Sequence, residues 1–259
     1  MLEPNKKLPL SHNSRFYILC ASFALSIGIA SLLRLTIISD QLYLIRLEQI
    51  YGVVALIYWY IALILSPLSS AVGKERLRHS LFARRAIGVS AAYFAVLHGS
   101  VALFGQLGGL SAIGSLPGRF SFALYAGLFA IIILLIMAAT SFDKVVRRMT
   151  YPRWKLLHRL VYAAGIAVLI HIWLIGTHAV YTWVQLIVLA LLSALFALES
   201  WRISGALAHK YPSLSQRDTR VAIAITLWLL LTIIVAAIPG IFTSYHGAHA
   251  LVLAGGNIL

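Results

Sequence analysis

Apolar stretches long enough to cross a membrane recur at 16–38, 50–69, 86–105, 120–142, 156–176, 180–199 and 221–239. Each is near the ~20 residues that a helix needs to traverse ~30 Å of hydrocarbon. Inside a bilayer the backbone must satisfy its own hydrogen bonds, so only helices and closed barrels cross it. Barrel strands alternate apolar and polar residues, whereas these runs are continuously apolar. The sequence therefore predicts an all-α integral membrane protein, a bundle of about seven transmembrane helices. Its 61% hydrophobic and 11% charged residues suit that class far better than a soluble domain.

The formal net charge of +14 raises the question of nucleic acid, and the placement of the charges answers it. Lys6, Lys7 and Arg15 precede the first run. Lys74, Arg76, Arg78, Arg84 and Arg85 lie between the second and third. Lys144, Arg147, Arg148, Arg153 and Lys155 lie between the fourth and fifth, and Arg202, Lys210, Arg217 and Arg220 between the sixth and seventh. The opposite side keeps only Arg34, Arg46 and Arg119, near helix ends. This alternation is the positive-inside pattern, which puts the N-terminus in the cytoplasm and the C-terminus outside. The basicity is a topology signal whose natural partner is anionic membrane lipid, and no nucleic acid is expected.

Cys20, the only cysteine, excludes an intrachain disulfide, a Cys-x-x-Cys haem attachment and a cysteine-ligated iron–sulfur cluster. No Gly-x-Gly-x-x-Gly or Walker-type loop occurs, so no nucleotide or flavin domain is expected within the chain. The basic N-terminus reads as the flank of an uncleaved first helix. The last twenty residues are glycine-broken and too short for an eighth span. They are expected to rest on the outer face or against a partner.

Most of the nine histidines fall in loops or at helix ends. His98 in the third run, and His158 and His171 in the fifth, do not. Both runs start from the basic side, so depth follows from a rise of ~1.5 Å per residue: His98 lies ~20 Å beyond Arg85 and His171 ~24 Å beyond Lys155. These two therefore sit at similar heights in the outer half of the membrane. His158 lies only ~4 Å past Lys155, near the inner boundary. Two neutral imidazoles at one depth on two helices are what a haem sandwiched between those helices requires. An intramembrane histidine can equally be a hydrogen-bonded packing residue, worth ~0.6 kcal/mol to helix association, and spacing alone leaves both readings open.

The surrounding residues carry a resemblance. "RRAIGVSAAYFAVLHGSVALFG" and "TSFDKVVRRMTYPRWKLLHRLVYAAGIAVLIHIWLIG" resemble the ferric reductase-like transmembrane family, and within it the MsrQ (YedZ-type) haem-binding membrane subunits. The matching residues are Arg84, Arg85, Gly88, Tyr93 and His98, then Trp154, Leu157, His158, Tyr162 and His171. "LILSPLSS" at 63–70 is similar to the family's second-span ending, and the likeness covers roughly residues 50–200. The resemblance implies that His98 and His171 are axial ligands of a b-type haem iron. It implies a haem-binding role for His158 near the inner face. Two-haem relatives carry a further histidine fourteen residues before the one matched by His98, where this chain has Arg84. The group near the inner face is thus open between a second haem and a flavin, with quinone contact or a propionate bond as further roles for His158. Arg84 could bind a flavin phosphate or a propionate. Arg34 and Arg119 could pair with propionates of the outer haem or mark the membrane interface.

The resemblance divides the chain into three parts. These are a cytoplasmic N-terminal segment at 1–15, a six-span ferric reductase-like haem-binding core at 16–200, and 201–259, a basic loop, an extra transmembrane helix and an external tail. The expected function is electron transport by a haem b protein of a bacterial inner membrane, the electron-transfer subunit of an oxidoreductase system. The donor would be a soluble flavin reductase or membrane quinol, and the acceptor an external redox partner protein. One alternative is a non-catalytic haem-bearing anchor subunit of a larger membrane redox complex. The other is a transporter or proton channel, which the expected placement of all seven carboxylates in loops or at span ends disfavours.

Overall fold

A computed structural model describes residues 10–73, 75–176 and 181–236. Through them run α1 (Leu10–Thr36), α2 (Asp40–Val72), α3 (Arg78–Ser100), α4 (Gly118–Ala139), α5 (Asp143–Met149), α6 (Tyr151–Leu157), α7 (Leu160–Ile175), α8 (Thr182–Lys210) and α9 (Gln216–Ala236). Among the described residues six stretches are long and apolar enough to cross a membrane: Ser14–Thr36, Asp40–Val72, His79–Gln106, Gly118–Ala139, Tyr151–Ile175 and Thr182–Lys210. They correspond to the first six expected runs, and the chain is an integral membrane protein of helical bundle type. The seventh run, at 221–239, is helical as α9 up to Ala236 but is not one of the six. Its last residues and the glycine-broken tail lie outside the described residues.

The helices outrun their apolar stretches because local chemistry extends them. Ser39 caps α2, its hydroxyl accepting from the Leu42 N–H, and Asp40 complements the helix dipole in the first turn. That start precedes the apolar run by ten residues and brings Glu48 inside the helix. At the other end of the membrane, α8 continues past Glu199, which is buried. Two carboxylates therefore lie within spanning helices, a correction to the expectation that all sit in loops or at span ends. Thr150, at φ 63°, breaks the chain between α5 and α6. A π-helical segment, Val101–Gln106, extends α3, the Leu107 N–H reaching the Ala102 carbonyl at 3.0 Å. Such widened turns recur at functional sites, and this one begins three residues after His98.

Two packed cores build the bundle. Leu47, Tyr51 and Ala55 of α2 meet Ala92, Phe94 and Ala95 of α3 and Leu134 of α4. Ala130 and Ile133 of α4 meet Ala164 and Ala167 of α7. Small residues there let the backbones approach closely, the usual way helices gain dispersion energy in lipid. Polar contacts clamp α1 to this pair of cores: Ser22 Oγ lies 2.8 Å from Ser90 Oγ, and the Tyr51 hydroxyl donates to the Ser26 carbonyl at 2.9 Å. Outward-facing Phe129, Ile132, Leu135, Leu186 and Ile187 are exposed, as lipid-facing residues must be.

Basic residues of α1 and α3 gather on one carboxylate at the start of α5. Arg15 approaches Asp143 at 3.2 Å and Arg85 at 2.7 Å. Partial burial by itself would raise the carboxyl's pKa, but the two guanidiniums outweigh it and hold Asp143 below the usual carboxylate range.

Candidate haem site

His98 on α3 and His171 on α7 come together inside the bundle, their ring centroids 5.9 Å apart and their planes at 88°. Each Nδ1 meets a main-chain carbonyl, His98 that of Glu48 at 3.0 Å and His171 that of Ala123 at 2.9 Å. A carbonyl can only accept, so Nδ1 carries a proton on both rings, and in a neutral imidazole that leaves the lone pair on Nε2. That is the tautomer of a metal-ligating histidine, fixed by the hydrogen bond on the other nitrogen.

A repeated local device creates these contacts. Glu48 precedes Gly52 on α2 by one helical turn, and Ala123 precedes Gly127 on α4 by the same interval. A Cβ on Gly52 would stand 2.9 Å from His98 Nδ1, and one on Gly127 would stand 2.7 Å from His171 Nδ1. Each imidazole thus lies against a bare stretch of helix and reaches the carbonyl one turn back. Gly52, Gly127, the Glu48 carbonyl and the Ala123 carbonyl carry no signal of this role in the sequence. The partnership joins different helices and leaves no local pattern in the chain.

Two imidazoles bonded to one metal at about 2 Å per metal–nitrogen bond hold their ring centres about 6 Å apart. The observed separation therefore fits a bis-histidine haem between the α2–α3 and α4–α7 pairs. Among the described residues no group of three or more His, Cys, Asp or Glu side chains could hold a bare metal ion. A pair of histidines alone suits a macrocycle that brings its own equatorial ligands.

The other predicted residues lie elsewhere. His158 follows the last residue of α6, toward the basic end, and its Nε2 is 3.3 Å from Thr140 Oγ1. Its ring packs on Trp154 at 4.1 Å between centroids, and Arg85 sits over that same indole at 5.2 Å. Arg84 donates from Nε to the Ala62 carbonyl at 2.7 Å, and among the described residues nothing takes its terminal nitrogens. Near it the Tyr162 hydroxyl donates to Glu199 at 3.0 Å, while Arg202 bridges both, donating to the Tyr162 oxygen at 3.0 Å. Arg34 is exposed, ion-paired to Asp40 and stacked over Tyr43. Arg119 stands half-buried in the first turn of α4.

Similarity to known proteins bears on the family rather than on individual residues. Residues 51–170 match the family model described as ferric reductase like transmembrane component. The resemblance read from the sequence holds. Within the ferric reductase-like stretch lie Gly52, His98, Gly127 and His158, while His171 follows directly after its last residue. Over 90 residues, 35% of the chain, it is 40% identical to a Deinococcus radiodurans protein named protein-methionine-sulfoxide reductase heme-binding subunit MsrQ, covering 44% of that protein. A protein of the same name from Ralstonia nicotianae is 43% identical over 47 residues, 18% of this chain and 22% of that one. The matched stretch thus spans less than half the length of either relative. No solved structure matches the chain.

Proposed function

We propose that this chain is a membrane b-type haem protein that passes electrons from a donor at its basic face to an acceptor on the opposite side. The observation that carries the reading is the His98–His171 pair, held 5.9 Å apart with both Nδ1 atoms engaged by carbonyls. His98 and His171 would hold the haem iron. A haem held there would supply a one-electron carrier.

The protein's own part is to orient and to insulate. The Glu48 and Ala123 carbonyls fix the two rings, Gly52 and Gly127 let them seat, and Tyr51, Phe94 and Leu134 keep the neighbourhood apolar. At the basic face, read as the cytoplasmic side from the positive-inside pattern, Arg84 offers donors that nothing takes among the described residues, beside the Tyr162–Glu199–Arg202 network. A flavin phosphate or a haem propionate suits those donors, and His158 belongs to the same end of the bundle. The donor is a soluble flavin reductase, with quinol as the competing source. The relatives' names favour a protein-methionine-sulfoxide reductase as the external partner.

A second reading, a haem-bearing anchor subunit, draws on α9. That helix packs on α8 through Phe196 and Trp228, 5.6 Å apart and edge to face, and leaves Ile225, Leu229 and Ile233 exposed to lipid or a partner. A reduced-minus-oxidised absorbance spectrum of the purified chain, with pyridine haemochrome quantification, tests the haem reading. A low-spin b-type spectrum that flavin reductase or quinol reduces is the expected result. A preparation without haem refutes both readings.

A further inference from the structure

The two histidines have unequal surroundings. Among the described residues His171 Nδ1 meets only the Ala123 carbonyl. His98 Nδ1 meets the Glu48 carbonyl, and in addition a carboxylate oxygen of the same glutamate lies 3.5 Å away. The second carboxylate oxygen of Glu48 accepts from Gln106 Nε2 at 3.1 Å, at the end of the π-helical segment. Glu48 is therefore held from two sides, three-quarters buried, with one oxygen turned to the back of a ligand imidazole. From the sequence Glu48 is expected only among the carboxylates in loops or at span ends, with no role.

A carboxylate behind a ligating histidine does two things. It pulls on the Nδ1 proton and makes Nε2 a stronger electron donor, and it sets a negative charge near the iron. Both favour the ferric over the ferrous state, since the ferric haem carries one more positive charge. Burial strengthens the effect because low dielectric screens it less. A main-chain carbonyl, which is all that His171 Nδ1 has among the described residues, exerts the weaker pull of a neutral dipole.

We propose that Glu48 is a positioning residue that acts through His98 to lower the reduction potential of the haem site. The assignment rests on the haem reading above. Its consequence is directional: electrons leave the site for the external acceptor more readily than they would from a site flanked by neutral groups alone. Gln106 serves the same end by holding the carboxylate in place.

Spectroelectrochemical titration of the purified full-length protein at one fixed pH is the test. Glu48→Gln keeps the size, the main-chain carbonyl and an oxygen for Gln106 while removing the charge. It should raise the midpoint potential with the low-spin spectrum and haem content kept. Glu48→Asp, which keeps the charge, should stay closer to the parent. Gln106→Lys sets a cation on the carboxylate without touching either ligand and should move the potential upward as well. Retained haem with parental potentials in Glu48→Gln and Gln106→Lys overturns the assignment and leaves the haem reading intact. Where Glu48→Gln loses its haem, an unmoved potential in Gln106→Lys overturns the assignment on its own. A parent chain without haem overturns both.

Discussion

Gly127 and His171 stand so close across the α4–α7 interface that a single methyl group on the glycine would lie 2.7 Å from Nδ1 and 3.0 Å from Cε1 of the imidazole. Those separations are shorter than van der Waals contact, and the group in the way is a ring anchored by its own hydrogen bond. Gly127→Ala should therefore displace His171. It should cost about 1–3 kcal/mol in overpacking and lower haem content or convert the spectrum toward high spin. Gly52→Ala should do the same through His98, less severely, since its nearest approach is 2.9 Å. Absorbance spectra of the two variants, normalised to protein, decide it. Unchanged low-spin haem in both would remove the ligand role from these rings.

Direct replacement of the rings separates the two ends of the molecule. His98→Ala or His171→Ala should abolish the low-spin haem, because either leaves the iron one protein ligand and opens a cavity in apolar packing. His158→Ala should retain it, since His158 belongs to the Thr140–Trp154 contact rather than to the His98–His171 pair. It should instead slow reduction by a donor at the basic face. Haemochrome assays on the three variants, with stopped-flow reduction of the third, read both effects. Full low-spin haem in His98→Ala would end the assignment.

Asp143 provides a test of stability that involves no cofactor. Its carboxyl is held below the ordinary range by Arg15 and Arg85 against the opposing effect of burial. A depressed folded-state pKa means that the stabilisation is fully present above the unfolded value of about 3.9 and fades as pH falls through the folded value. Asp143 is 41% exposed, so solvent screening keeps the two ion pairs to about 1 kcal/mol. Asp143→Asn should thus lower the melting temperature in detergent at pH 7, with the parent and variant curves converging below about pH 4. A deficit that persists unchanged at acidic pH would show that the pairs are not its source.

What the chain disclosed in one dimension follows from which constraints are one-dimensional. Bilayer thickness imposes a length and a continuous apolarity, so six spans were visible as runs of residues. The equal depth of His98 and His171 followed from counting helix rise from Arg85 and Lys155. Azimuth does not follow from counting. Gly52 and Gly127 are ordinary-looking glycines in apolar helices, and only packing shows that each faces a histidine on another helix. Glu48 and Glu199 were misplaced for a related reason: caps and ion pairs carry α2 and α8 beyond their apolar runs, so a span's end in hydropathy is not its end in structure.

The basic face is the remaining test, and its chemistry distinguishes the two donors. The segments 70–85 and 143–155 hold ten Lys and Arg residues against two carboxylates, Glu75 and Asp143. Asp143 is already engaged by Arg15 and Arg85, so the surface keeps a strong positive excess. Such a surface attracts an acidic flavoprotein or an anionic flavin, and the encounter rate falls as salt screens the field. Quinol is neutral and arrives through the bilayer, so its rate should hardly respond to ionic strength. Arg84 makes the site specific, because its terminal nitrogens are unclaimed among the described residues beside the Tyr162–Glu199–Arg202 network. Haem reduction by a flavin reductase should therefore slow as salt rises from 50 to about 200 mM, a range over which the Debye length falls to less than 10 Å. Arg84→Ala should slow it further, about tenfold if one charge-assisted contact of 1.5 kcal/mol is lost, with the low-spin spectrum of the His98–His171 site unchanged. Stopped-flow reduction of parent and variant across that salt series reads both effects at once. Salt-independent reduction by quinol alone, equal in parent and Arg84→Ala, would eliminate a soluble flavoprotein as the donor.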